Sequence, residues 1–250
     1  MAPAPLVLDY IRTVLASGML GYAAYKDMKT REIHDMVWAV PAALGLLIDI
    51  YEVFSGNLSL INAGLSIGFM VIISGVLWYL QLFGEADLIA FVALAVIHPR
   101  TPAFGFIGFT PMLFTFTLVS NSALSGLLIA FYSLFKNLGV GSKGVDLFER
   151  HRGASALKKA GILFTGQYMD VGKISGPPFE YPLEVRGELI LKPDIWDDDK
   201  ARNDFRIIRE KGFDRAWVSA TLPYIVNLLV GYLVSVVYGD ILFSIMSYLY

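Results

Sequence analysis

The chain has 250 residues, 56% of them hydrophobic and only 17% charged, and it contains no cysteine. Disorder needs low hydrophobicity and high net charge, so a disordered chain is excluded; the missing thiols also exclude a disulfide scaffold, a cysteine nucleophile and a thiolate metal site. With 20 basic residues against 22 acidic ones the net charge gives no case for nucleic acid as a partner, while a mean hydropathy of +0.58 points to a polytopic membrane protein.

A helix needs about 20 mostly apolar residues to cross roughly 30 Å of hydrocarbon. In chain order, candidate spans fall at Leu6–Tyr25, Met36–Phe54, Leu58–Leu80, Ala86–Ile97, Ile107–Phe135 and Trp217–Tyr238. The first has no basic segment before its apolar run and continues into a polar loop, so it reads as a retained span, not as a cleaved signal peptide. Within the third, Gly64 and Gly68 form a GxxxG element suited to helix packing. The fourth is short and must tilt, start deep or borrow the loop after His98 and Pro99. In the last, Pro223 is placed to kink the helix. Six spans are predicted, with five plus a re-entrant piece as the alternative. Residues 241–250 add only a short interfacial segment.

Between the fifth and sixth spans lies a polar stretch carrying 15 of the 20 basic residues (with Lys136 at its edge) and 13 acidic ones. Gly161–Val171 and Leu183–Leu191 alternate apolar and polar residues and read as short antiparallel strands; 201–212 has helical spacing. The predicted fold is therefore a membrane α-helical protein with a small α+β domain inserted before the last helix. Its parts are residues 1–136 (five helices with the catalytic core), 137–215 (soluble domain) and 216–250 (last helix and tail). Basic residues in loops set orientation. Lys26, Lys29 and Arg31 follow the first span and the basic stretch follows the fifth, so both termini are expected outside and the polar domain in the cytoplasm.

Ionisable residues at membrane depth are functional candidates by default. Asp9 and Arg12, three apart, read as a self-neutralising pair; Asp49 and Glu52 as a solvated helix end; Asp240 as interfacial. Asp27 and Asp87 differ, because the predicted topology brings both to the cytoplasmic edge although they are 60 positions apart. Two close carboxylates share a proton, so one can serve as base toward water and the other as acid. His34, His98 and His151 lack companions at ligand spacing, so no metal and no cofactor is expected.

The residues around the two aspartates carry a resemblance. Gly84-Glu85-Ala86-Asp87 resembles the G-x-G-D signature of intramembrane aspartic proteases, with alanine third. Asp27 to Asp35 is similar to the first-aspartate motif of type IV prepilin peptidases, in which Asp and a basic stretch precede Ile-Pro-Asn. Arg31 and Ile33 match, while His34 and Asp35 stand in place of Pro and Asn. The likeness covers about Gly18 to Val96. The four-cysteine zinc module and a methyltransferase segment of many bacterial members are absent, so the chain most resembles the archaeal preflagellin (archaellin) peptidases. That implies a multi-pass plasma-membrane endopeptidase acting at the cytoplasmic face on preflagellin- or prepilin-like proteins with class III signal peptides, in membrane lipid. It also implies Asp27 and Asp87 as the catalytic pair, supported by Gly84, Glu85, Ala86, Lys26 and Arg31. An acidic mouth at Glu32, Asp35 and Glu85 would suit a basic leader. Separation of the carboxylates at rest, closed by substrate, is a further expectation. A proton- or ion-coupled transporter using the same aspartates is the alternative, although no internal repeat favours it; a non-catalytic scaffold is a third reading.

Overall fold

The computed structural model describes residues 4–80, 83–104, 107–111, 113–220 and 223–249. It is mostly helical with a small antiparallel sheet, and divides into two units, Met1–Gly126 with Pro223–Tyr250, and Leu127–Leu222.

The first unit contains helices α1 (Ala4–Thr30), α2 (Met36–Phe54), α3 (Leu60–Tyr79) and α4 (Glu85–Ile97). It also holds the beginning of α5 (Phe114–Gly141), then α8 (Tyr224–Val237) and α9 (Ile241–Leu249). Helices α2, α3 and α5 are each long and apolar enough to cross a membrane, and α8 with α9, bent by 49°, could form a fourth span. The chain is thus a membrane protein. Helix α4, at 13 residues, rises only about 20 Å. It is enclosed instead: Ala90, Phe91, Ala93, Leu94, Ala95 and Ile97 are all buried. Its alanines let neighbours come close, and on α2 a Cβ added to Gly45 would lie 2.9 Å from the Ile97 Cα. At the α8–α9 break, Asn121 donates to the Gly239 carbonyl and accepts from the Ile241 N–H, satisfying backbone groups that lipid cannot.

Several expectations change here. Gly64 and Gly68 pack on no other helix of the described chain: a Cβ added to either meets nothing within 4 Å. Arg12 does not pair with Asp9. Its guanidinium reaches Asp49 (2.6 Å), Glu52 (2.8 Å) and the Ile97 carbonyl (2.6 Å), while Arg100 takes Asp9 (3.0 Å) and the other Glu52 oxygen (2.8 Å). The long guanidinium side chains reach across helices and draw Asp49 and Glu52 inward, so these carboxylates are buried and not solvated. Asp240 is also buried, accepting from the Phe243 N–H and Ser120 Oγ at the start of α9.

The second unit holds α6 (Ala156–Thr165), β1 (Gln167–Asp170), β2 (Glu180–Pro182), β3 (Glu184–Val185), β4 (Glu188–Leu189), α7 (Asp198–Glu210) and β5 (Arg215–Ala220). Strand β5 lies between β1 and β2, antiparallel to both, and β3 pairs with β4. Alternation along β5 sends Trp217 to one face, with Ile162, Leu183 and Leu189, and Ala216 and Val218 to the other, with Phe205 and Ile208. Glu184 is the polar hub, accepting from Arg150, His151 and the Trp217 N–H.

Two sequence assignments are corrected in this region. Gly161–Thr165 is the end of helix α6, started by the Ser155 hydroxyl accepting from the Lys158 N–H. Residues Trp217–Ala220 belong to the central strand, not to a membrane span, so Pro223 sits at the N-cap of α8, where it removes no helical hydrogen bond and kinks nothing.

Candidate active site

Asp27 lies in the last turn of α1, one turn before the helix ends. Helix α1 stops at Thr30 because Arg31 turns into the left-handed region (φ 60°), which brings its guanidinium back over the preceding turn. The Arg31 Nη1 lies 3.3 Å from the Asp27 Oδ1. Asp27 is 9% exposed, and the backbone N–H of Ile225, at the start of α8, is directed at its carboxylate. The packing of α1 on α8 thus sets Asp27 against a helix N-terminus, a favourable place for an anion.

Asp87 is the third residue of α4. Its Oδ2 accepts the Gly84 N–H at 3.2 Å, the carboxylate half of a capping box. That bond fixes the side chain and leaves Oδ1 without a hydrogen bond among the described residues. Gly84 has an ordinary backbone (φ −70°, ψ 159°), and a Cβ added there would meet only the Asp87 Oδ2, at 3.6 Å. The backbone at this position is thus open to other residues, and an added side-chain carbon would touch the carboxylate at ordinary van der Waals distance.

Helices α1 and α4 touch each other and both touch α8, which puts Asp27 and Asp87 on neighbouring helices, with the charges of Asp27 and Arg31 felt at Asp87. Glu85, one residue into the helix, is exposed, Ala86 is partly buried against the core, and Lys26 makes no ion pair among the described residues. Sequence reasoning missed Tyr224. Its ring packs edge-on to Phe83 (4.4 Å between centroids) and near Phe91, its hydroxyl donates to Ser122 Oγ at 3.3 Å, and the Asp87 charge acts on it. An aromatic residue just after a proline at the start of a span gave no signal of its own, because its partners come from α4 and α5.

An aspartate pair in apolar helices can activate water against an amide, the chemistry of an aspartic peptidase. Residues 14–134, which contain both aspartates, match the type IV leader peptidase family. A preflagellin peptidase of Methanococcus voltae is 27% identical over 245 residues, covering 92% of this chain and 97% of that protein. Neither comparison supports the transporter alternative. The protein is a membrane-embedded peptidase. Within that class, the chain is similar to the type IV leader peptidases over residues 14–134.

Proposed function

We propose that Asp27 and Asp87 are the catalytic pair of an aspartic endopeptidase that removes the leader from a preflagellin-type protein. The observation that carries this is the placement of two carboxylates on touching helices, with the Asp27 charge felt at Asp87 and one Asp87 oxygen in no hydrogen bond among the described residues. One carboxylate takes a proton from water as its oxygen bonds to the scissile carbonyl carbon, and the other donates a proton to the carbonyl oxygen. Collapse breaks the C–N bond, the amine leaves with a proton, and the leader keeps the new carboxylate. Arg31 and the Gly84 N–H orient the two aspartates.

The same reading takes α1 to α5 and the bent α8–α9 pair as six spans of the plasma membrane. Both termini lie outside, residues 137–220, through the end of β5, form a cytoplasmic domain, and the site opens at the cytoplasmic face. The basic residues after α1 support that orientation. The test is cleavage of a preflagellin by detergent-purified protein. Asp27→Asn and Asp87→Asn should each lower turnover by at least about a thousandfold while the protein stays folded. A single mutant with near wild-type turnover would overturn the pair.

A further inference from the structure

The first unit carries a groove of about 540 Å³ on the outside of the α2–α3–α4 packing, with walls that include Asp35 just before α2, Ala42 from α2, Gly75 and Trp78 from α3, and Leu88 and Val92 from α4. Leu88 directly follows Asp87, so the groove begins at the aspartate end of α4. Its floor is closed by the Ser74 hydroxyl donating to the Leu88 carbonyl at 3.2 Å.

Three features say what fills it. First, Gly64, Gly68, Val71 and Gly75 recur at spacings of four, three and four along one face of α3, and a Cβ added to any of these glycines meets nothing within 4 Å. A helix-interior glycine is unfavourable by roughly 0.5–1 kcal/mol relative to alanine. No internal neighbour explains these three, whereas close approach of another helix backbone does. Secondly, the groove's one charged wall residue is Asp35, exposed and in no ion pair among the described residues. A carboxylate at the head of an apolar groove disfavours a lipid phosphate and favours a helix preceded by positive charge. Thirdly, the Trp38 indole N–H on the same wall is buried and has no acceptor among the described residues.

We propose that this groove is the docking site for the substrate's own apolar helix, which lies along α3 with a basic flank at Asp35 and delivers the chain leading into it to Asp87. The proposal rests on the peptidase reading above. From Leu88 to Val96 the α4 wall rises about 12 Å, enough for two helical turns of the substrate.

The test uses the full chain in detergent micelles or liposomes with a preflagellin as probe. Ala42→Phe and Gly75→Leu, which fill the groove, should each raise KM by at least about tenfold, whereas Val14→Phe, at a 73% exposed position outside it, should not. In case a filled groove misfolds, a photoreactive residue at Val71 or Val92 reports occupancy directly, in the Asp87→Asn background where bound substrate is not turned over. Crosslinks to the substrate's apolar segment support the proposal. Crosslinks only to lipid, or only to a second copy of this chain, overturn it. Wild-type cleavage with unchanged KM in both folded variants overturns the groove alone. A wild-type protein that cleaves no preflagellin overturns the peptidase reading, and the groove with it.

Discussion

Glu52 is the residue through which the buried charges of the first unit are connected, giving one carboxylate oxygen to Arg12 and the other to Arg100. Both Glu52 and Arg12 are fully buried, and three carboxylates share two guanidiniums. Removing one member of a buried pair leaves a desolvated charge behind, at a cost of about 3–5 kcal/mol. Arg12→Ala, which leaves Asp49 buried without its guanidinium, should therefore lower the thermal midpoint in detergent by roughly 10 °C, more than Lys26→Ala, whose side chain holds no ion pair among the described residues. An equal effect of the two, read by a thermal-shift assay, would show the network to be dispensable. Asp49 and Glu52 could be located from sequence at the end of a helix, but their burial could not. It depends on a guanidinium from α1 and on a loop cation after α4, and neither is visible in a local window. Asp27 and Asp87 could be picked out as candidates because each sits in a local signal: a basic run in one case, a glycine-led helix start in the other.

Among the helices, contact distance is set at single glycines. A Cβ on Gly231 of α8 would fall 2.5 Å from the Ser122 backbone nitrogen of α5, and on Gly45 of α2 it would fall 2.9 Å from the Ile97 Cα of α4. Backbone cannot swing aside as a side chain can, so Gly231→Ala and Gly45→Ala should each destabilise by about 1–3 kcal/mol. Gly18→Ala, where a Cβ meets nothing within 4 Å on α1, should be neutral or slightly stabilising. Unfolding of the three variants in one detergent decides it; indistinguishable stabilities would contradict the packing. Hydropathy recovered the long helices α2 and α3 nearly to the residue, because a uniform apolar run has sharp ends. It failed where two kinds of apolar segment adjoin. Ala216–Val218 is a buried strand and Tyr224–Val237 an apolar helix, yet together they read as one run. The alternation at Gly161–Val171 misled for a related reason: it straddles the end of α6 and the start of β1, and only the Ser155 cap marks where the helix begins.

The first unit as a whole has two chemically unlike ends. Asp9, Arg12, Asp49, Glu52 and Arg100 make up one, where the charges are consumed in mutual pairs; the other carries Asp27 and Asp87. Along α1, 15 residues separate Arg12 from Asp27, a rise of about 22 Å, most of a bilayer core. This sharpens the orientation argument. Arg100, a basic residue in the loop after α4, pairs with Asp9 and Glu52 and so contributes little free positive charge at its end. Lys29, beyond Asp27 at the other end, is exposed and enters no ion pair among the described residues. The positive bias therefore falls on the aspartate end, and orientation follows such bias in short loops. Because the chain has no cysteine of its own, single introduced thiols report sidedness without background. Lys29→Cys and Lys158→Cys should be shielded from a membrane-impermeant maleimide in intact cells and should react once the membrane is opened. Asn57→Cys, in the exposed turn between α2 and α3, should react from outside. The reverse pattern would place the aspartates at the outer face, away from a newly made protein still carrying its leader.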